Sequence, residues 1–160
     1  MKPKMNKILL YIVLLLLTNS AYSKHSDKIP RFVATKSDHV NARKGPGITY
    51  PLSWVFVKKS VPLKIISEFE DWRKVEDMKG YAGWVHSSVL TRNRSAIVTC
   101  QGQCNMHKSK NPGSKIVAIL QNGLICNISK VSSPYTRLVC KNIKGWVLNS
   151  DIWGLLGEEK

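Results

Sequence analysis

The segment Gly83-Trp84-Val85-His86-Ser87-Ser88 returns 62 residues later as Gly145-Trp146-Val147-Leu148-Asn149-Ser150. Upstream, Val40-Asn41-Ala42-Arg43-Lys44 answers to Cys104-Asn105-Met106-His107-Lys108 at an offset of 64. Ile66-Ser67 aligns with Ile128-Ser129, Trp72 with Tyr135 and Val75 with Leu138. The offset drifts only from 64 to 62, so the gaps between copies are loop-sized. Two copies of roughly 60 residues exclude a solenoid, which needs three or more units, and demand a tandem of small domains. A domain that small sits near the lower size limit for a core of its own, so a few large side chains must supply the buried area. Trp84 and Trp146 are expected in those cores, with Gly83 and Gly145 allowing close backbone approach.

Within each copy no stretch sustains a helical period. Short apolar runs separated by turn residues predict an all-β class instead. In the first copy Trp54–Val57, Val61–Ile66, Trp72–Val75 and Gly83–Val85 are the predicted strands. Lys44-Gly45-Pro46-Gly47 and Glu70-Asp71 mark turns between them.

The leader has a different composition. Lys2, Lys4 and Lys7 precede ten consecutive apolar residues, Ile8 to Leu17, followed by a short polar tail with small residues at Ala21 and Ser23. That order predicts a signal peptide over residues 1–23, removed after Ser23. A membrane-spanning helix needs roughly 20 apolar residues, so no stable span is expected after cleavage. Residues 24–31 are polar and aperiodic, a flexible approach to a first domain over 32–92. A divergent, cysteine-containing second domain is predicted over 96–156. Thr91-Arg92-Asn93-Arg94-Ser95 forms a polar joint between them, and Trp153 is placed to reach across it.

Residues 24–160 hold 22 Lys+Arg against 10 Asp+Glu, a formal charge of +12. Such a charge favours anionic partners or simply keeps a small protein in solution. Export argues against nucleic acid. The four cysteines, Cys100, Cys104, Cys126 and Cys140, all fall in the second copy. In an oxidising compartment they are disulfide candidates, and four thiols allow three pairings. The Ser132-Ser133-Pro134 turn lies midway between Cys126 and Cys140, which favours that bridge and leaves Cys100 with Cys104. The corresponding first-copy positions, near Lys64 and Asp77, are expected to form a cross-strand ion pair.

The first copy, with Asn41-Ala42-Arg43-Lys44-Gly45-Pro46-Gly47, Tyr50-Pro51, Trp72-Arg73-Lys74-Val75 and Gly83-Trp84-Val85-His86, resembles the bacterial SH3-like (SH3b) domain family. Among its members, small exported alphaproteobacterial proteins with two such domains are the nearest in pattern. The second copy is more divergent, with His107 for Arg43 and Asn111-Pro112-Gly113 for Gly45-Pro46-Gly47. The resemblance implies one small, partly open barrel of five to seven strands per copy. It also implies a targeting or ligand-binding role, often toward peptidoglycan or its peptide stems.

Catalytic constellations find little support. A cysteine–histidine hydrolase needs a thiolate beside an imidazole oriented by a third group, and no local signature of one surrounds the cysteines. Cys100, Cys104 and His107 have loose spacing for zinc and no evident fourth ligand, so no metal and no cofactor are expected. Glu68, Glu70, Asp71, Glu76 and Asp77 flank a predicted hairpin turn, which fits a solvated loop better than a glycosidase pair. The candidate ligand-binding residues are Arg43, Tyr50, Trp54, Trp72 and Arg73, because aromatic faces stack on sugars or peptide planes and guanidinium groups meet carboxylates. The expectation is a non-enzymatic periplasmic or secreted protein that binds a cell-wall peptide or glycan. The alternative is a protein–protein adaptor in the periplasm or at the surface, with an envelope protein as partner.

Overall fold

A computed structural model of the protein describes residues 28–157. The predicted signal peptide and residues 24–27 lie outside the described residues. The first half holds β1 (Arg31–Thr35), β2 (Val40–Arg43), β3 (Leu52–Phe56), β4 (Pro62–Phe69), β5 (Trp72–Glu76), β6 (Ala82–His86) and β7 (Leu90–Thr91). The second holds β8 (Ser95–Val98), β9 (Cys104–His107), β10 (Ile116–Leu120), β11 (Ile125–Ser132), β12 (Tyr135–Cys140), β13 (Ile143–Leu148) and β14 (Ile152–Trp153). A single 3-10 turn precedes β7 and another precedes β14. Arg31, expected in the approach segment, opens β1 by pairing with Ile65.

The strands form two seven-stranded sheets with orders β3-β2-β6-β5-β4-β1-β7 and β10-β9-β13-β12-β11-β8-β14. Every strand of the second sheet occupies the place of the strand seven earlier, so the sequence repeat is a repeat of topology. The fold is all-β, two tandem SH3-like units. Val33, Val40, Ala42, Leu63, Ile65, Val75 and Val85 make one core. The second core is built on Val98, Met106, Leu138, Val147, Ile152 and the cysteines.

The expected tryptophan cores are corrected by strand parity. Successive residues of a strand point to opposite faces. Gly83 and Val85 are buried, so Trp84 between them faces outward and is half-buried; Gly145, Trp146 and Val147 repeat the pattern. The aromatic that covers the first core is Trp54. Its ring lies over Gly83, where a Cβ would come within 3.0 Å of the indole and 3.2 Å of Ala42. Ala42 pairs with Trp54 across β2 and β3, and the matching pair in the second copy is Met106 with Ala118. One copy joins a small residue to a large partner and the other reverses the order, so both fill the space above the glycine.

The β4–β5 and β11–β12 hairpins show a one-residue correction to the sequence alignment. Ile65 pairs with Val75 and Ile128 with Leu138, so Ile65 and not Ile66 answers to Ile128. Ile66 and Ser129 are the extra residues of matching β-bulges. The same shift moves the ion pair: Lys64 Nζ lies 2.6 Å from Glu76 Oε1. Asp77 instead accepts hydrogen bonds from the backbone N–H groups of Lys79 at 2.9 Å and Tyr81 at 3.0 Å. Cys126 and Cys140 are bridged across the second hairpin, Cα atoms 4.6 Å apart, and Cys100 is bridged to Cys104.

The two sheets meet where β1 and β4 of the first approach β8 and β14 of the second. Phe32 and Trp153 stack edge to face with centroids 4.9 Å apart. The Ser95 hydroxyl donates to the Ser60 carbonyl at 2.7 Å.

Candidate ligand-binding face

The outward parity of Trp84 places it in the middle of the solvent face of β2, β6 and β5. Arg43 of β2 sits directly opposite it on one side and Lys74 of β5 on the other. Next along the same face, Trp72 pairs with His86, their rings edge to face at 5.3 Å. The His86 Nδ1 accepts from the Ser88 N–H, which fixes the ring at the head of the 3-10 turn. The result is a strip of two half-buried tryptophans interleaved with Arg43, Lys74 and His86.

The second copy builds the same strip from different residues. Trp146 lies between His107 and Arg137, and Lys110 Nζ stands 5.0 Å above its ring, a cation–π distance. Lys110 also donates to Ser132 Oγ at 2.6 Å. Tyr135, the counterpart of Trp72, is buried.

Of the five residues singled out from sequence, Arg43 and Trp72 lie on this strip and Tyr50 borders it. Arg43 Nη1 donates to the Tyr50 carbonyl at 2.7 Å, and the Tyr50 ring rests on Gly45, where a Cβ would overlap it. Tyr50 remains 46% exposed, so one ring edge orders the loop and the other is open. His107 holds the equivalent second-copy loop through Nδ1 and the Ser114 carbonyl at 3.2 Å. A carbonyl only accepts, so this nitrogen carries the proton. Trp54 faces inward as the core cover described above. Arg73 has the parity of Val75 and points to the other end of the barrel, bonded to Glu68 Oε1 at 2.8 Å and to the Glu70 carbonyl. Lys74, Trp84 and His86 were missed as surface residues, although the alternation in Gly-Trp-Val-His already separates the two faces.

The acidic cluster read as a solvated loop is dispersed by the fold. Glu68 is a largely buried acceptor for both Arg31 and Arg73, Glu76 pairs with Lys64, and Asp77 closes its own turn. All four cysteines are disulfide-bonded. Among the described residues, no group of three or more His, Cys, Asp or Glu is arranged to hold a metal. No described helix is long and apolar enough to cross a membrane.

The chain is 24% identical over 121 residues to a Bacillus subtilis protein named "Putative N-acetylmuramoyl-L-alanine amidase YrvJ", covering 69% of this chain and 23% of that protein's length. Solved structures of NlpC2 and NlpC1 from Trichomonas vaginalis align with 81% of this chain and about half of each of those chains, at TM-scores of 0.36 and identities of 11% and 12%. Residues 36–91, from the turn after β1 to the end of β7, match the family model for the bacterial SH3 domain.

Proposed function

We propose that this protein is a non-enzymatic binding module that docks on peptidoglycan through the outward tryptophan strips of its two copies. The observation that carries the reading is that Trp84 and Trp146 each occupy an outward position between cationic or imidazole neighbours, although those neighbours differ in sequence. An indole face stacks on a sugar ring or a peptide plane, and flanking cations meet the carboxylates of a wall peptide. The amidase name of the similar Bacillus protein supports a wall ligand, and the chain spans 23% of that protein's length. Two disulfides fit residence in an oxidising compartment, the periplasm or the exterior.

The test is co-sedimentation of residues 24–160 with purified sacculi at low salt. The protein is expected in the pellet, with affinity reduced about tenfold or more in the Trp84→Ala/Trp146→Ala variant. No soluble wall fragments are expected in the supernatant. Wild-type protein left in solution at low salt would sink the reading.

A second reading, an adaptor for an envelope protein, draws on β3. This edge strand exposes Leu52 and Val55 beside an unpaired rim, the setting for strand addition by a partner. Recovery of one stoichiometric protein partner by cross-linking in cells would favour it.

A further inference from the structure

We infer that the two strips take different parts of a ligand: Trp84 offers an open indole face for stacking, whereas Lys110 covers Trp146 and makes the second strip a carboxylate site. The inference rests on the wall-binding reading and adds a division of labour to it. Lys110 spans the second strip. Its ammonium stands 5.0 Å from the centre of the Trp146 ring and donates to Ser132 Oγ at 2.6 Å, so it is held at two points. Trp146 is half-buried on its sheet. An indole with one outer face has none left for a sugar once a cation stands on it.

The first copy lacks both ends of this strap. The loops after β2 and β9 have equal length and are closed by the same backbone bond, Lys44 N–H to the Pro51 carbonyl and Lys108 N–H to the Lys115 carbonyl. Lys110 therefore stands where the first copy has Pro46. Ser132 lies opposite Tyr135 as Phe69 lies opposite Trp72, so Ser132 answers to Phe69. Proline and phenylalanine have no ammonium to offer and no oxygen to hold one. Among the described residues, no cation stands over the Trp84 ring as Lys110 does over Trp146. Exposed Phe69 instead extends the aromatic surface of the first strip beside Trp72.

Charge follows the same division. Residues 32–94 hold six acidic side chains, of which Glu68 and Glu76 pair with Arg73 and Lys64. Residues 95–157 hold seven Lys and Arg against one acid, Asp151, which lies in the 3-10 turn before β14. On the second strip Arg137 stands beside Trp146 and directly opposite Lys130. Like charges opposite one another weaken a strand pair, and a bound carboxylate relieves them. The first copy has Ser67 opposite Lys74 at this place. Arg137 offers a planar fork for a carboxylate and Lys110 an ammonium next to it. Ile116, opposite His107, and Ile119, opposite Asn105, are exposed at the edge of the same face. That aliphatic border suits a carboxylate carried by a short peptide with small apolar side chains.

The experiment follows the indole N–H signals of Trp84 and Trp146 by NMR in isotope-labelled residues 24–160, assigned with the Trp84→Ala and Trp146→Ala proteins. The probes are chitotriose, a neutral sugar, N-acetyl-alanyl-alanine, and the same dipeptide with an amide in place of its carboxylate. Chitotriose is expected to move the Trp84 signal alone. The dipeptide acid should move the Trp146 signal, and the amide should leave it in place. Lys110→Ala, a change at an exposed position, should weaken the dipeptide about tenfold and let chitotriose move Trp146 as well. Lys110→Arg should restore the wild-type pattern. Chitotriose moving both signals in the wild type overturns the inference. So does a Trp146 signal that ignores the dipeptide, responds equally to the amide, or responds equally in Lys110→Ala. The sacculus test stays separate: protein that sediments but whose strips respond alike refutes the division alone, whereas wild type left in solution refutes the wall-binding reading whatever the probes do.

Discussion

A tryptophan laid across Gly83 and Ala42 gives its apolar area to a core of aliphatic side chains. One turned outward between Arg43 and Lys74 keeps a face open to solvent. Trp54→Ala is therefore expected to cost about 3 kcal/mol or more, the range for emptying a packed aromatic site. Trp84→Ala should cost about 1 kcal/mol or less, as for side chains near the surface. Urea unfolding at constant m checks the order of the two, and a larger loss from Trp84→Ala would overturn this division of roles. Sequence reasoning placed Trp84 in the core because it weighed size alone. The valine after it carried the decisive information, since Val85 is fully buried and its neighbour must point the other way. The inward turn of Trp54 was harder to read. It depends on Ala42 opposite it in β2 and on Gly83 beneath it, partners far apart in the chain.

Hairpins of the same shape are closed in different ways in the two copies. β11 and β12 are joined by Cys126–Cys140, at a sequence separation of 14. β4 and β5 carry the Lys64–Glu76 pair, whose side chains remain 30% and 28% exposed. Loop-closure entropy assigns a bridge over that separation about 3 kcal/mol, and a solvent-screened ion pair contributes about 0.2–1 kcal/mol. Cys126→Ala/Cys140→Ala should thus lower the stability of the second copy by about 3 kcal/mol, and Glu76→Gln that of the first by less than about 1 kcal/mol. Equal losses in urea titrations would rule out chain entropy as the source of the difference. The bridge was legible because Ser132-Ser133-Pro134 centres the hairpin between the two cysteines. The ion pair was misplaced by one residue because bulges at Ile66 and Ser129 leave no local signal. An isoleucine at the extra position looks like any strand residue, and the alignment took Ile66 for Ile65.

The two units are joined by contacts of β1 and β4 with β8 and β14. β14 returns to pair with β8, which places Trp153 opposite Ile97 and brings its indole against Phe32 of β1. The reach of Trp153 across the joint was legible from its position after the second repeat. Its partner was not, because Phe32 lies 121 residues earlier in the chain and only the fold brings the two rings together. An edge-to-face aromatic pair contributes about 0.5–1.5 kcal/mol beyond the area it buries. Trp153→Ala is expected to leave both sheets folded and to uncouple them, so that calorimetric unfolding separates into two transitions, only one of which shifts when disulfides are reduced. Sacculus binding should persist, because each tryptophan strip lies within its own sheet. A single unchanged transition in Trp153→Ala would mean that the hydrogen bond from Ser95 and the packing of β4 against β8 hold the two units together without the aromatic pair.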